Sequence, residues 1–316
     1  MKYLLYILVF LVACTSPDQP IEKKKIQENL SEPYVIVLGI AQDAGFPQAA
    51  CEKKCCKDVW KNPDLRKLVS CLAIVDPVDK KSWIIDATPD FREQLYRLQQ
   101  HRGEEKIDLA GIFLTHAHIG HYTGLMQLGK EVMGAKKMPV YTMPRMGEYL
   151  RKNGPWSQLV NLENIKLEKL RSDSIVQLND RLQVQPMLVP HREEYSETVG
   201  FKIIGLKKSL LFIPDINKWQ LWEREITEEI KAVDYAFLDG SFFAGGEIPG
   251  RNMSEIPHPF IQESMYLFEP LAWKEKQKIH FIHFNHTNPA LQDRVIQKMI
   301  EDAGFHIAKE MSQHPL

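Results

Sequence analysis

The run Ile112-Phe113-Leu114-Thr115-His116-Ala117-His118-Ile119-Gly120-His121 decides both the fold and the chemistry of this chain. An apolar strand carries the backbone into a loop where His116 and His118 can converge on one point, while His121 opens the next helix. A lone histidine is usually a satisfied core or surface residue. Three imidazoles within six positions at a strand exit are instead the donor set that a borderline metal such as zinc, or iron, requires.

Outward from this run, short β-branched segments alternate with helical ones. Strands are predicted at 34–40, 71–76, 83–86, 111–115, 139–142, 181–190, 199–204, 210–214, 235–238 and 279–284. Helices are predicted at 89–101, 122–134, 143–153, 217–231, 259–268 and 289–303, with starts marked by Thr, Asn or Pro. Strands in clusters with helices between them indicate sheets covered by helices, an α/β domain over 34–316. Met126, Met133, Met143, Met146 and Trp156 follow the histidine loop and could wall a pocket, although helical spacing makes them better core residues.

The first residues read differently. A basic start at Lys2 and an apolar run of about ten residues are too short to cross a bilayer, which needs about 20, but suit a secretory signal. Leu11-Val12-Ala13-Cys14 resembles a bacterial lipobox. The expected division is a lipoprotein signal over 1–13, a tether lipidated at Cys14 over 14–33, and one folded domain beyond it. The protein is thus expected at the bacterial cell envelope, exported and anchored to a membrane by lipid. With 40 basic against 41 acidic residues, the chain offers no global field for nucleic acid, so no nucleic-acid partner is expected and a small-molecule substrate is.

The histidine run is similar to the His-x-His-x-Asp-His signature of the metallo-β-lactamase superfamily, which implies an αββα sandwich of two mixed sheets flanked by helices. That family places a further His, an Asp and a last His at later strand ends. His191, Asp215 and His286 stand in that order here. The resemblance implies that His116, His118 and His191 hold a first metal, that Asp215 bridges, and that His121 and His286 face a second. Gly120 occupies the place of the motif's Asp, so the second site is expected to be weaker or differently filled. Segments at 39–48, 86–91, 238–243 and 283–289 resemble the pyrroloquinoline quinone biosynthesis protein B group in particular.

In that group the cysteines after the glycine-rich turn bind a structural zinc, which implies the same for Cys51, Cys55 and Cys56, with Cys71 as a possible fourth ligand. An exported protein could instead form a disulfide there, or keep free buried thiols. The family further implies a hydrolase whose metal yields hydroxide from water at neutral pH, with Asp215 orienting it. By position, His258 is the candidate general acid, Asp86 and Asp239 orient ligating imidazoles, and Asp43 is a weaker orienting candidate. The expected cofactor is one or two zinc ions, with iron possible. The expected activity is hydrolysis of an ester, phosphodiester or amide. An iron-dependent oxidative enzyme is the alternative, and a non-catalytic exported binding protein is the third reading.

Overall fold

The computed structural model describes residues 31–101 and 107–316. The signal, lipidation site and most of the tether assigned to 1–33 lie outside the described residues. Six strands open the domain: β1 (Tyr34–Gly39), β2 (Cys71–Asp76), β3 (Lys81–Ile85), β4 (Asp108–Phe113), β5 (Met138–Thr142) and β6 (Ile165–Lys169). Seven more follow: β7 (Val176–Asn179), β8 (Leu182–Leu188), β9 (Val199–Ile204), β10 (Ser209–Ile213), β11 (Tyr235–Asp239), β12 (Ile279–Ile282) and β13 (His306–Ile307). The last strand, β14 (Gln313–Pro315), returns to the first sheet. The sheet orders are β14-β1-β2-β3-β4-β5-β6 and β13-β12-β11-β10-β9-β8-β7, and both mix parallel and antiparallel pairs. This is the expected α/β sandwich of two mixed sheets flanked by helices.

The two sheets face each other across one apolar core. Val35, Leu72, Ile74 and Phe113 of the first sheet belong to the same cluster as Val184, Phe201, Phe212 and Phe281 of the second. The other face of the first sheet, carrying Ile36, Ala73 and Ile84, is covered by Phe91, Leu98, Met146 and Leu150. Strands buried on both faces read as continuous apolar runs, which is why Cys71-Leu72-Ala73-Ile74-Val75 shows no alternation.

Met143 and Met146 are buried in these cores, and Met126 and Trp156 pack against the second of them, while Met133 is exposed. Met126, Met143 and Met146 therefore belong to the core, and Met133 does not. The helix predicted over 122–134 is a four-residue turn, Ile119–Tyr122, followed by a 3-10 segment, Thr123–Leu128. Gly124 explains the break. Its N–H donates to Ala87 O, and a Cβ at this position would stand 2.1 Å from Thr88 O, so the backbone is drawn against the exit of β3. The helix predicted over 217–231 likewise reduces to Trp219–Leu221 and Ile226–Lys231. Its interruption coincides with Trp222, whose indole donates to Leu188 O. Strands β6, β7, β13 and β14 were not anticipated; all are short, and all four are the edge strands of the two sheets.

Candidate metal centre

Most groups with a place in the centre leave the C-terminal end of a strand. Asp43 follows β1, Asp86 follows β3, His116 follows β4, His191 follows β8, Asp215 follows β10, Asp239 closes β11, and His283 follows β12. Strands of both sheets thus deliver side chains to one rim, which is where open α/β sheets place their ligands.

The first group is His116, His118, His191 and Asp215. His116 Nε2 lies 2.8 Å from His118 Nδ1 and 3.3 Å from Asp215 Oδ2, and His191 Nε2 is 3.2 Å from Asp215 Oδ1. Donors about 2.0–2.2 Å from a tetrahedral centre stand about 3.3 Å apart. His191 Nε2 and Asp215 Oδ1 are buried and make no hydrogen bond among the described residues, although they are neighbours. Their lone pairs aim at a common point rather than at each other.

The outer ring nitrogens are each held. His116 Nδ1 is 3.0 Å from Thr115 Oγ1, His118 Nε2 is 3.2 Å from Glu194, and His191 Nδ1 is 3.2 Å from Asn217 Oδ1. An occupied outer nitrogen fixes the tautomer that presents the inner one to a metal. These donors fit a divalent ion of the zinc or iron class.

A second group forms beside the first from Asp43, His121 and His283. His121 Nδ1 is 2.7 Å from Asp86, whose other carboxylate oxygen accepts from the Thr115 N–H, and His283 Nδ1 is 2.9 Å from Ser241 Oγ. Asp86 thus holds the His121 ring at its outer nitrogen. His121 Nε2, His283 Nε2 and Asp43 Oδ1 are buried without hydrogen-bond partners among the described residues. Asp215 Oδ2 is 4.0 Å from His121 Nε2 and so lies between the groups.

His286, expected in this group, is elsewhere. The strand β12 ends at Ile282, so His283 is the first residue on the rim and His286 lies three residues farther along the loop. Its ring joins Cys51, Cys55 and Cys56, all four donor atoms lying within 4.8 Å of one another. Cys51 Sγ and Cys55 Sγ are 3.8 Å apart, the separation of about 3.8 Å that two thiolates adopt on one tetrahedral zinc. Cys71, the expected fourth ligand, is buried within β2 with its thiol on Asp86 O at 3.5 Å. All four of these cysteines are free, so the disulfide alternative is absent among the described residues.

His258 completes the centre. Its Nδ1 is 2.8 Å from Asp239 Oδ2 and 3.2 Å from Asp215 Oδ1. Burial alone would lower its pKa; Asp239 and Asp215 overcome that and raise it to about 9. His116 is pushed well down by burial and by the neighbouring His121 ring. His121 is raised well above its ordinary value because Asp86 and Asp43 outweigh its burial.

The model for the beta-lactamase superfamily domain matches residues 82–284, from β3 to the loop that carries His283. The chain belongs to that superfamily. Within it the chain is similar to the PqqB proteins. It is 25% identical over 304 residues to coenzyme PQQ synthesis protein B of Gluconobacter oxydans, spanning 87% of this chain and 96% of the relative. Among solved structures, Zn(2+)-bound PqqB from Methylobacterium extorquens superposes with a TM-score of 0.75 at 20% identity, covering 90% of this chain and all of that one. A diphosphatase of the PhnP family superposes with a TM-score of 0.63 at 21% identity, over 90% and 97% of the two chains.

The residues not anticipated from sequence are His283 as a rim histidine and Thr115, Glu194, Asn217 and Ser241 as holders of imidazoles. A signal for His283 did exist: the first residue past an apolar strand is the one that reaches the rim.

Proposed function

We propose that the protein is a metal-dependent hydrolase acting on a small ester, phosphodiester or amide. The observation that carries this reading is the convergence of His116 Nε2, His118 Nδ1, His191 Nε2 and the Asp215 carboxylate, with each ring's outer nitrogen already occupied. A zinc- or iron-class ion held there would polarise a substrate oxygen and bring the pKa of water down toward about 7.

The chain's own groups have distinct tasks. Asp215 faces both groups of donors, its Oδ2 being 3.3 Å from His116 Nε2 and its Oδ1 3.2 Å from His191 Nε2 and from His258 Nδ1. Asp239 anchors His258 through Nδ1, leaving Nε2 as the edge from which a proton can pass to a leaving oxygen. The likeness in fold to the PhnP-family diphosphatase makes phosphoesters the first substrate class to try. Cys51, Cys55, Cys56 and His286 would hold a separate, closed zinc with a structural role.

A second reading, an iron-dependent oxidative enzyme, draws support from a His/Asp donor set that suits iron as well as zinc. Metal analysis of protein purified without added zinc, together with turnover assays, separates the two. Zinc with hydrolysis of a generic phosphodiester or ester panel supports the first. Iron with oxygen consumption and no hydrolysis supports the second. A protein that retains no metal after H116A and wild type are compared, and turns over nothing, sinks both.

A further inference from the structure

The glycine at position 120 stands where the superfamily motif has its aspartate, and the structure shows why no side chain fits there. A Cβ built on Gly120 would lie 2.4 Å from Asp43 Cα and 2.4 Å from Asp43 Oδ1. Asp43 itself comes from a loop far away in sequence, after β1. Its Oδ1 lies 3.2 Å from His121 Nε2 and 3.6 Å from His283 Nε2. All three atoms are buried and without hydrogen-bond partners among the described residues.

A plain counter-ion for His121 is an insufficient account of Asp43. That task is already filled at the opposite nitrogen by Asp86, at 2.7 Å and with hydrogen-bond geometry. Asp43 Oδ1 instead faces two imidazole nitrogens at once and bonds to neither. The loop is also held to the one carrying His283: Gln42 N–H donates to Phe284 O at 2.8 Å, and Phe284 N–H donates to Ile40 O at 2.8 Å.

We propose that Asp43 is the carboxylate ligand of a second divalent ion, together with His121, His283 and the shared Asp215. We propose further that Gly120 is glycine because Asp43 occupies the volume of the side chain it replaces. The carboxylate has moved from the histidine loop to the β1 loop while its oxygen has stayed in place. This inference rests on the metal-centre reading above. It predicts a second site that is complete rather than weakened by the glycine.

The test is zinc stoichiometry, by elemental analysis after exhaustive desalting and by calorimetric titration of the chelator-stripped full chain with Zn2+. Relative to wild type, D43A should lose one equivalent, or bind one equivalent at least tenfold more weakly, with circular dichroism unchanged. D43N serves if D43A fails to fold. The double variant D43G/G120D should regain the equivalent, because it restores a carboxylate in the same volume, whereas D43G alone should not. Full stoichiometry and affinity in D43A, or in D43N, overturns the role of Asp43 while leaving the metal centre intact. A folded double variant that stays at the D43A level also overturns it. If H116A/H118A binds as many equivalents as wild type, the underlying metal-centre reading has failed instead.

Discussion

His283 has a φ of +68°, a conformation that non-glycine residues rarely adopt and that persists where surrounding structure requires it. Asp86, with φ +70°, shares this property, and both sit where a strand breaks off at the rim. The strain turns His283 toward His121, and Ser241 fixes its ring through Nδ1. Removing a partner that orients a ligating histidine typically weakens metal binding about 10–100-fold. S241A should therefore weaken the ion held by His121 and His283 by that factor while sparing the one at His116. Competition with a chelator of known affinity measures both. Equal loss at the two ions, or at neither, contradicts the assignment.

A residue unrelated to the centre sets an acid limit. His280 is stacked between Phe237 and His306, and burial, followed by the nearby His314 and His306, pushes its pKa down to about 2. An unfolded chain takes up this proton near pH 6.5, whereas the folded one resists it until far lower. The contribution to stability is thus complete above about pH 6.5 and declines by up to about 1.4 kcal/mol per pH unit as acid is added. H280F, which keeps a ring between the same neighbours, should flatten the fall in urea midpoint between pH 7 and pH 5. Parallel curves for wild type and variant would refute this.

Two loops carry unlike tasks through the same backbone. The loop between β1 and the helix Lys54–Lys61 bears Asp43 and Cys51, and the loop after β12 bears His283 and His286. The backbone bonds between Gln42, Phe284 and Ile40, with Gln292 Nε2 donating to Cys55 O at 2.8 Å, hold the loops side by side. A zinc on Cys51, Cys55, Cys56 and His286 would clamp the very segments that present Asp43 and His283. C51S/C55S should then lose one zinc and lower the melting temperature by more than about 5 °C, since about 2–4 °C accompanies each kcal/mol at this size. It should also weaken the ion at His121. Unchanged melting and metal content would rule out the clamp. The sequence grouped the three cysteines but chose Cys71 over His286, because adjacency along the chain does not reveal which strand points a thiol into the core.

Asp215 belongs to the first group of donors and stands 4.0 Å from His121 of the second, so it joins residues delivered by the two opposed sheets. D215A should abolish turnover and release metal from both groups, yet leave far-ultraviolet circular dichroism intact, since the side chain lies past the end of β10 rather than in the apolar core. Retained turnover would refute the centre. At the same scale we propose that the protein is exported and lipid-anchored through Cys14. C14S should move it from the membrane fraction to the soluble one, and an unchanged distribution would discard the anchor.

From the order of its elements the sequence alone determined an α/β domain of sheets covered by helices, with runs such as Cys71-Leu72-Ala73-Ile74-Val75 short and β-branched enough to read as buried strands, and its resemblance to the metallo-β-lactamase superfamily implied the sandwich. It also marked His116 and His118 as candidate donors, because they are neighbours at a strand exit, while His191 and Asp215 came from the family resemblance. Short edge strands such as β13 and β14 were not legible, since two or three residues carry no period. Only the tertiary structure decided that His283 rather than His286 reaches the rim, that His286 belongs with the cysteines, and that Asp43 fills the volume at Gly120. Each of these depends on where two loops distant in sequence come to rest, and a contact between them leaves no local pattern in either one.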